Sequence, residues 1–192
     1  MAEIKKKRKK WFEIYSSREF KGVEIGEIPA TTPEDLIGKT INVPLSNLSK
    51  EGRRQTAQVI FEVVSIKDNK PQTEVKKIEI SPSSVKRVAR RGKDKVDDSF
   101  MLKTKDNINL RIKPVILTKN KTTKSVLSSI RKESRVFISE KVKALTYSDI
   151  ISRIASFSFQ KELKDKINKL YPVSFCQIRS IIKLKNDTPG NK

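Results

Sequence analysis

The residues with chemistry to do in this chain are its cations, and they come in blocks. Residues 1–10 carry Lys5, Lys6, Lys7, Arg8, Lys9 and Lys10 against Glu3. Residues 86–95 carry Lys86, Arg87, Arg90, Arg91, Lys93 and Lys95 against Asp94. Residues 119–145 carry Lys119, Lys121, Lys124, Arg131, Lys132, Arg135, Lys141 and Lys143 against Glu133 and Glu140. Across the 192 residues, 43 Lys and Arg face 22 Asp and Glu, a net charge of +21, and these three blocks hold most of the excess. Lys and Arg neutralise phosphates and release condensed counterions; Arg adds bidentate pairing and stacking on bases. A polyanion is the partner for such a surface, and nucleic acid is the polyanion it fits. Arg53, Arg54, Arg87, Arg90, Arg91, Arg131 and Arg135 are the preferred direct contacts. Trp11, beside the basic arm, reads first as a core or plug residue and second as a platform for a base.

Other chemistries lack their residues. The chain has no histidine, which removes the commonest general base and transition-metal ligand. Its one cysteine, Cys176, excludes zinc held by paired thiolates. Cys176 lies in an apolar alternation and reads as a buried small hydrophobe in a reducing compartment. Gly38-Lys39-Thr40 matches the end of a P-loop, but the loop's first glycine would fall at Pro33, so Gly38 reads as the start of a strand. Asp97-Asp98 has the oxygens for Mg²⁺, yet beside six cations it reads as local counter-charge. No acid, base and nucleophile come together, so the reading is a binder and not an enzyme, with no cofactor, metal or small-molecule substrate. No run approaches the roughly 20 apolar residues of a membrane span, and the cationic start leads into Trp11-Phe12-Glu13 rather than a signal peptide's apolar stretch; no membrane partner is expected.

The cations need elements to hold them. Length and composition allow one ordinary core, with two small domains permitted but not required. Residues 1–10 read as a flexible basic arm, since like charges at this density repel and bury nothing, and 186–192 as a disordered tail. Residues 11–185 read as a single globular domain, β-rich over 37–117, helical over 122–170, with a final strand at 173–184. The glycines and prolines between Phe20 and Asp35 suggest irregular connection. Lys39–Val43 alternates as a strand, and Ser46–Arg54 reads as a basic turn. Gln58–Lys67 and Thr73–Ile80 suggest a hairpin. Val59, Phe61 and Val63 alternate with Ile60, Glu62 and Val64, the pattern of a strand covered on both faces. After Pro82 a short basic helix over Ser83–Arg91 would turn Val85, Val88 and Ala89 inward. A second hairpin, Ser99–Lys105 with Ile108–Leu117, turns at Asp106-Asn107, residues that tolerate positive φ. Thr122 or Thr123 caps a helix to about Leu145, Ser148 caps the next, and Gln160–Leu170 forms a third. Pro172 forces a restart into the last strand. Strands first and helices after give an α+β fold, an antiparallel β-barrel-like core with flanking α-helices and a basic N-terminal arm.

Read in order, Lys10-Trp11-Phe12, Ile37-Gly38-Lys39-Thr40, Leu45-Ser46, the basic helix through Arg90-Arg91, Lys103-Thr104-Lys105-Asp106, Lys113-Pro114-Val115 and Tyr171-Pro172 resemble the S3Ae (eS1) family of archaeal and eukaryotic small-subunit ribosomal proteins. The resemblance runs from about Lys9 to Leu184. It implies a barrel-like core, no enzymatic activity, a cytoplasmic place on the ribosome, and a structural role in translation. Partners implied are small-subunit rRNA and neighbouring ribosomal proteins, at the platform near the mRNA exit and the 3′ end of the rRNA, with mRNA within reach. The chain's length looks archaeal. It departs from the family at the second hairpin, where Asp106-Asn107 stands in place of Asp-Gly. A free-standing translation or chromatin factor would share the charge and the fold; sedimentation with small subunits in high salt separates the two.

Overall fold

The computed structural model describes residues 9–48, 57–67, 70–89 and 91–184. The chain divides into two compact units, one drawn from the segment up to residue 55 and Val59–Lys76, the other from residues 56–58 and Lys77 onward. All the strand registers below are antiparallel.

In the first unit β1 (Lys10–Tyr15) pairs with β2 (Glu24–Ala30) from Lys10↔Ala30 to Ile14↔Gly26, then shifts at Tyr15. Alternation turns Phe12, Ile14 and Ile28 inward. Ile14, Ala30, Leu36 and Val63 form the buried centre, with Phe12, Ile25, Ile28 and Ile41 packed around it. β3 (Thr40–Pro44), the one-turn α1 (Leu45–Leu48), β4 (Ala57–Lys67) and β5 (Lys70–Ile80) follow, in sheet order β3-β4-β5. Gly38 donates from N to the Val63 carbonyl at 2.9 Å and Val63 donates back to Lys39 O at 3.0 Å. Gly38 therefore opens a strand pairing at φ +81°, and no phosphate loop exists here.

The second unit contains the end of β5, α2 (Pro82–Val88), β6 (Lys95–Asp97), β7 (Phe100–Lys103), β8 (Asn109–Thr118), α3 (Lys124–Ala144), α4 (Tyr147–Ala155), α5 (Ser158–Asn168) and β9 (Val173–Lys183). Its strand order is β5-β9-β8-β6, with β7 also on β8. β8 is the spine: Leu110, Ile112, Val115, Ile116 and Leu117 are all buried. The helices bury Ile130, Phe137, Ile138, Val142, Ile150, Ile151, Ile154, Phe159, Leu163 and Ile167.

The fold is mixed α/β with antiparallel sheets and, among the described residues, five α-helices. Both hairpins, the long helix, the two after it and the last strand fall where the sequence puts them. Other expectations are corrected. The described pairings close no barrel; the strand series ends at β3 and β6. The stretch from Phe20 to Asp35 contains β2, with short 3₁₀ turns at Arg18–Phe20 and Pro33–Leu36. β4 is fully covered on one face and only partly on the other, where Ile60 and Glu62 are half-buried and Val64 is exposed. Of the residues expected to turn inward, Val85 in α2 is buried, but Val88 at its end is half-buried and Ala89, just after it, is exposed. The cap of α4 is Thr146, whose Oγ1 accepts from Asp149 N at 3.3 Å, and not Ser148. Trp11 is 68% exposed, so it is no plug.

Candidate nucleic-acid interface

Two of the basic blocks meet in the second unit, and Asp94 joins them. Thr122 donates from N to Asp94 Oδ2 at 2.7 Å, Thr118 donates from N to Asp94 O at 3.0 Å, and Asp94 donates from N to Thr118 Oγ1 at 2.9 Å. The loop carrying Lys119 and Lys121 is held from the other side as well. Lys119 donates from N to Pro172 O at 3.0 Å, and the Tyr171 hydroxyl donates to Lys121 O at 3.3 Å. Backbone and acid thus fix the loop while the Lys119 and Lys121 side chains stay exposed. A cationic loop ordered before its partner arrives loses less entropy on binding.

α3 continues this surface. Lys124, Ser128, Arg131 and Arg135 follow the i, i+4, i+7, i+11 spacing of one helix face, all exposed, with Lys132 beside them. Ile130, Ser134, Phe137, Ile138 and Val142 make the buried face. Arg135 is already paired: its guanidinium donates through Nε and Nη2 to both carboxylate oxygens of Asp98 while the side chain stays half exposed. Asp97 accepts from Arg179 Nη1 at 2.9 Å and Lys95 Nζ at 3.1 Å. The acidic pair is counter-charge, and among the described residues no group of three or more His, Cys, Asp or Glu could hold a metal. The Arg135 hydrogen bond, outweighing desolvation, holds the Asp98 carboxyl below the usual carboxylate range. Cys176 is buried, and burial pushes its thiol up to about 12.

Lys86, Arg87 and Arg91 are exposed on and just after α2, and Lys9, Lys10 and Trp11 are exposed at the start of β1. Lys5, Lys6, Lys7, Arg8, Arg53, Arg54, Arg90 and the 186–192 tail lie outside the described residues. No described helix is long and apolar enough to cross a membrane.

A model of the ribosomal S3Ae family matches residues 3–187. The chain belongs to that family. It is 32% identical over 173 residues to the small ribosomal subunit protein eS1 of Nanoarchaeum equitans, covering 90% of this chain and 87% of that one. Against the eS1 of Desulfurococcus amylolyticus identity is 31%, over 87% and 78% of the two chains, and against that of Staphylothermus marinus 28%, over 95% and 86%. All three relatives are archaeal. Family membership makes the chain a structural small-subunit ribosomal protein acting in translation, and not an enzyme.

Proposed function

We propose that this protein binds rRNA through the surface joined at Asp94, with Lys119, Lys121, Lys124, Arg131 and Lys132 on one side and Lys86, Arg87 and Arg91 on the other. Arg53, Arg54, Arg90 and the basic arm Lys5–Lys10 add further phosphate contacts, and Trp11 offers its ring to a base. The observation that supports the reading is the Asp94–Thr122 hydrogen bond, which ties the end of one cation block to the start of the next across 28 residues of sequence. The occupied position is the platform of the small subunit, near the mRNA exit and the 3′ end of the rRNA, with neighbouring ribosomal proteins and mRNA in reach in the cytoplasm.

Binding of the full chain to a small-subunit rRNA fragment tests it. With Z phosphates contacted, log K falls against log salt with a slope of about −0.7Z to −0.9Z, and these blocks call for Z on the order of 6 to 10. Replacing Lys119, Lys121 and Lys124 by Gln should flatten the slope by roughly 2 to 3. An unchanged slope would put the RNA elsewhere, and a wild-type protein that washes off small subunits in high salt would favour a free-standing factor.

A further inference from the structure

Pairing across four strands brings together cations that lie far apart in the chain and outside the three basic blocks. Phe100↔Ile112, Ile112↔Ile181 and Ile78↔Ile181 form one rung, with Ile78, Ile112 and Ile181 buried. The next rung, Met101↔Arg111, Arg111↔Ile182 and Lys77↔Ile182, points to the opposite face. Lys103, paired with Asn109, and Lys113, paired with Ser180, flank it on that same face. Arg135 of α3 sits over the Phe100 ring and Lys183 over Tyr147 of α4, so helices attend the apolar side.

Met101 is 63% exposed, and Arg111 Nη2 lies 4.0 Å from its sulfur. Among the described residues Lys103, Arg111 and Lys113 have no acidic partner; the carboxylate in these rungs, Glu79, is taken by Lys77. Arg111 and Lys113 are two residues apart on β8, about 6.8 Å along the strand. That spacing is comparable to successive phosphates of a nucleotide chain. A thioether beside a guanidinium is a polarisable, flat surface on which a base can lie.

We propose that this sheet face, with Met101 and Arg111 at its centre and Lys103 and Lys113 beside them, docks an unpaired RNA segment. The charge calls for a polyanion, and the Met101–Arg111 pair suits an open base, which a duplex does not present. The inference rests on the RNA-binding reading above.

The test uses the full chain with a single-stranded oligouridylate carrying 4-thiouridine, and a hairpin duplex of equal length. Ultraviolet cross-links should map to the peptide holding Met101. Met101→Ala should weaken single-strand binding about 5-fold and leave duplex binding unchanged. Arg111→Gln and Lys113→Gln should each reduce the single-strand salt slope by about 0.7. Met101→Ala, at an exposed position, carries the test should Arg111→Gln not fold. Wild-type binding that all three variants match overturns this face and leaves the proposed function standing. A wild type that binds neither RNA overturns both. Variants that bind RNA normally but no longer enter reconstituted small subunits assign the face to a protein neighbour, which also overturns the proposal.

Discussion

Arg135 and Asp98 meet side on: guanidinium Nε and Nη2 donate to the two carboxylate oxygens, the Nη2 bond at 2.7 Å, and the guanidinium carbon stands 5.8 Å from the centre of the Phe100 ring. One cation thus ties α3 to the turn between β6 and β7. Its fork matches the carboxylate bidentately, a geometry lysine cannot reproduce. The exposed cations before it on α3 are held in place by a residue whose own charge is already answered.

Asp98 is only 9% exposed, so losing its charge should be felt. Asp98→Asn should lower Tm at pH 7 by about 2–4 °C. The Asp98 carboxyl is held below its ordinary value, chiefly by the Arg135 hydrogen bond. Its stabilisation is therefore complete above the unfolded value near 3.9 and is lost as pH falls through the lower folded value. Thermal melts of wild type and variant should begin to converge below about pH 4 and go on converging as pH falls further. A gap that persists unchanged into acid would mean that the ionised pair contributes nothing.

Phe61 on β4 is fully buried and meets Phe20 edge-on, ring centres 5.7 Å apart at 82°. Phe61→Ala should cost about 3–5 kcal/mol, read by denaturant unfolding, through the cavity it leaves. RNA affinity of the folded fraction should not change. Wild-type stability with weakened RNA binding would contradict the burial.

Both hairpins were legible because long β-branched runs and a turn residue agree: Asn107 does take φ +60°. β2 was not, since Gly26 and Pro29 look like loop. Gly26 stands at φ +141°, and a Cβ there would come 3.1 Å from Ile41 Cδ1, so glycine marks close packing and a register shift rather than a loop. β6, three residues that start at the end of a charge block, carries too little pattern to read. Thr146 and Ser148 are both good capping types, and only the backbone decides between them. For the candidate site, charge density along the chain finds the basic blocks. It cannot see that Asp94 joins two of them, that Arg135 is committed to Asp98, or that strand pairing gathers Lys103, Arg111 and Lys113 on one face. Those are facts of register, and register is not local in sequence.

Cys176 gives a check on the second unit's core. With its thiol pushed up to about 12 by burial, almost no thiolate exists at pH 8. Labelling by a disulfide reagent should be slow in the native protein and should follow the opening of the β8–β9 pairing, rising steeply with denaturant. Rapid stoichiometric labelling of the native protein would contradict a buried thiol.

Trp11 is the chain's single tryptophan, and its emission reports directly on what covers it. It stands opposite Pro29 on the exposed face of the β1–β2 ribbon, with Lys9 and Lys10 exposed beside it. A large apolar ring left in water next to cations suits a nucleobase, whose π-face stacks on the indole while the lysines meet its phosphates. Trp11→Ala should leave stability within about 0.5 kcal/mol, as for an exposed site. It should weaken single-stranded RNA binding by about 1–3 kcal/mol, with Trp11→Phe retaining most of the affinity. Saturating RNA should quench the tryptophan emission of the wild type. Emission that stays constant while RNA binds at full affinity would leave the ring uncovered by RNA, and its exposure would then belong to a protein neighbour.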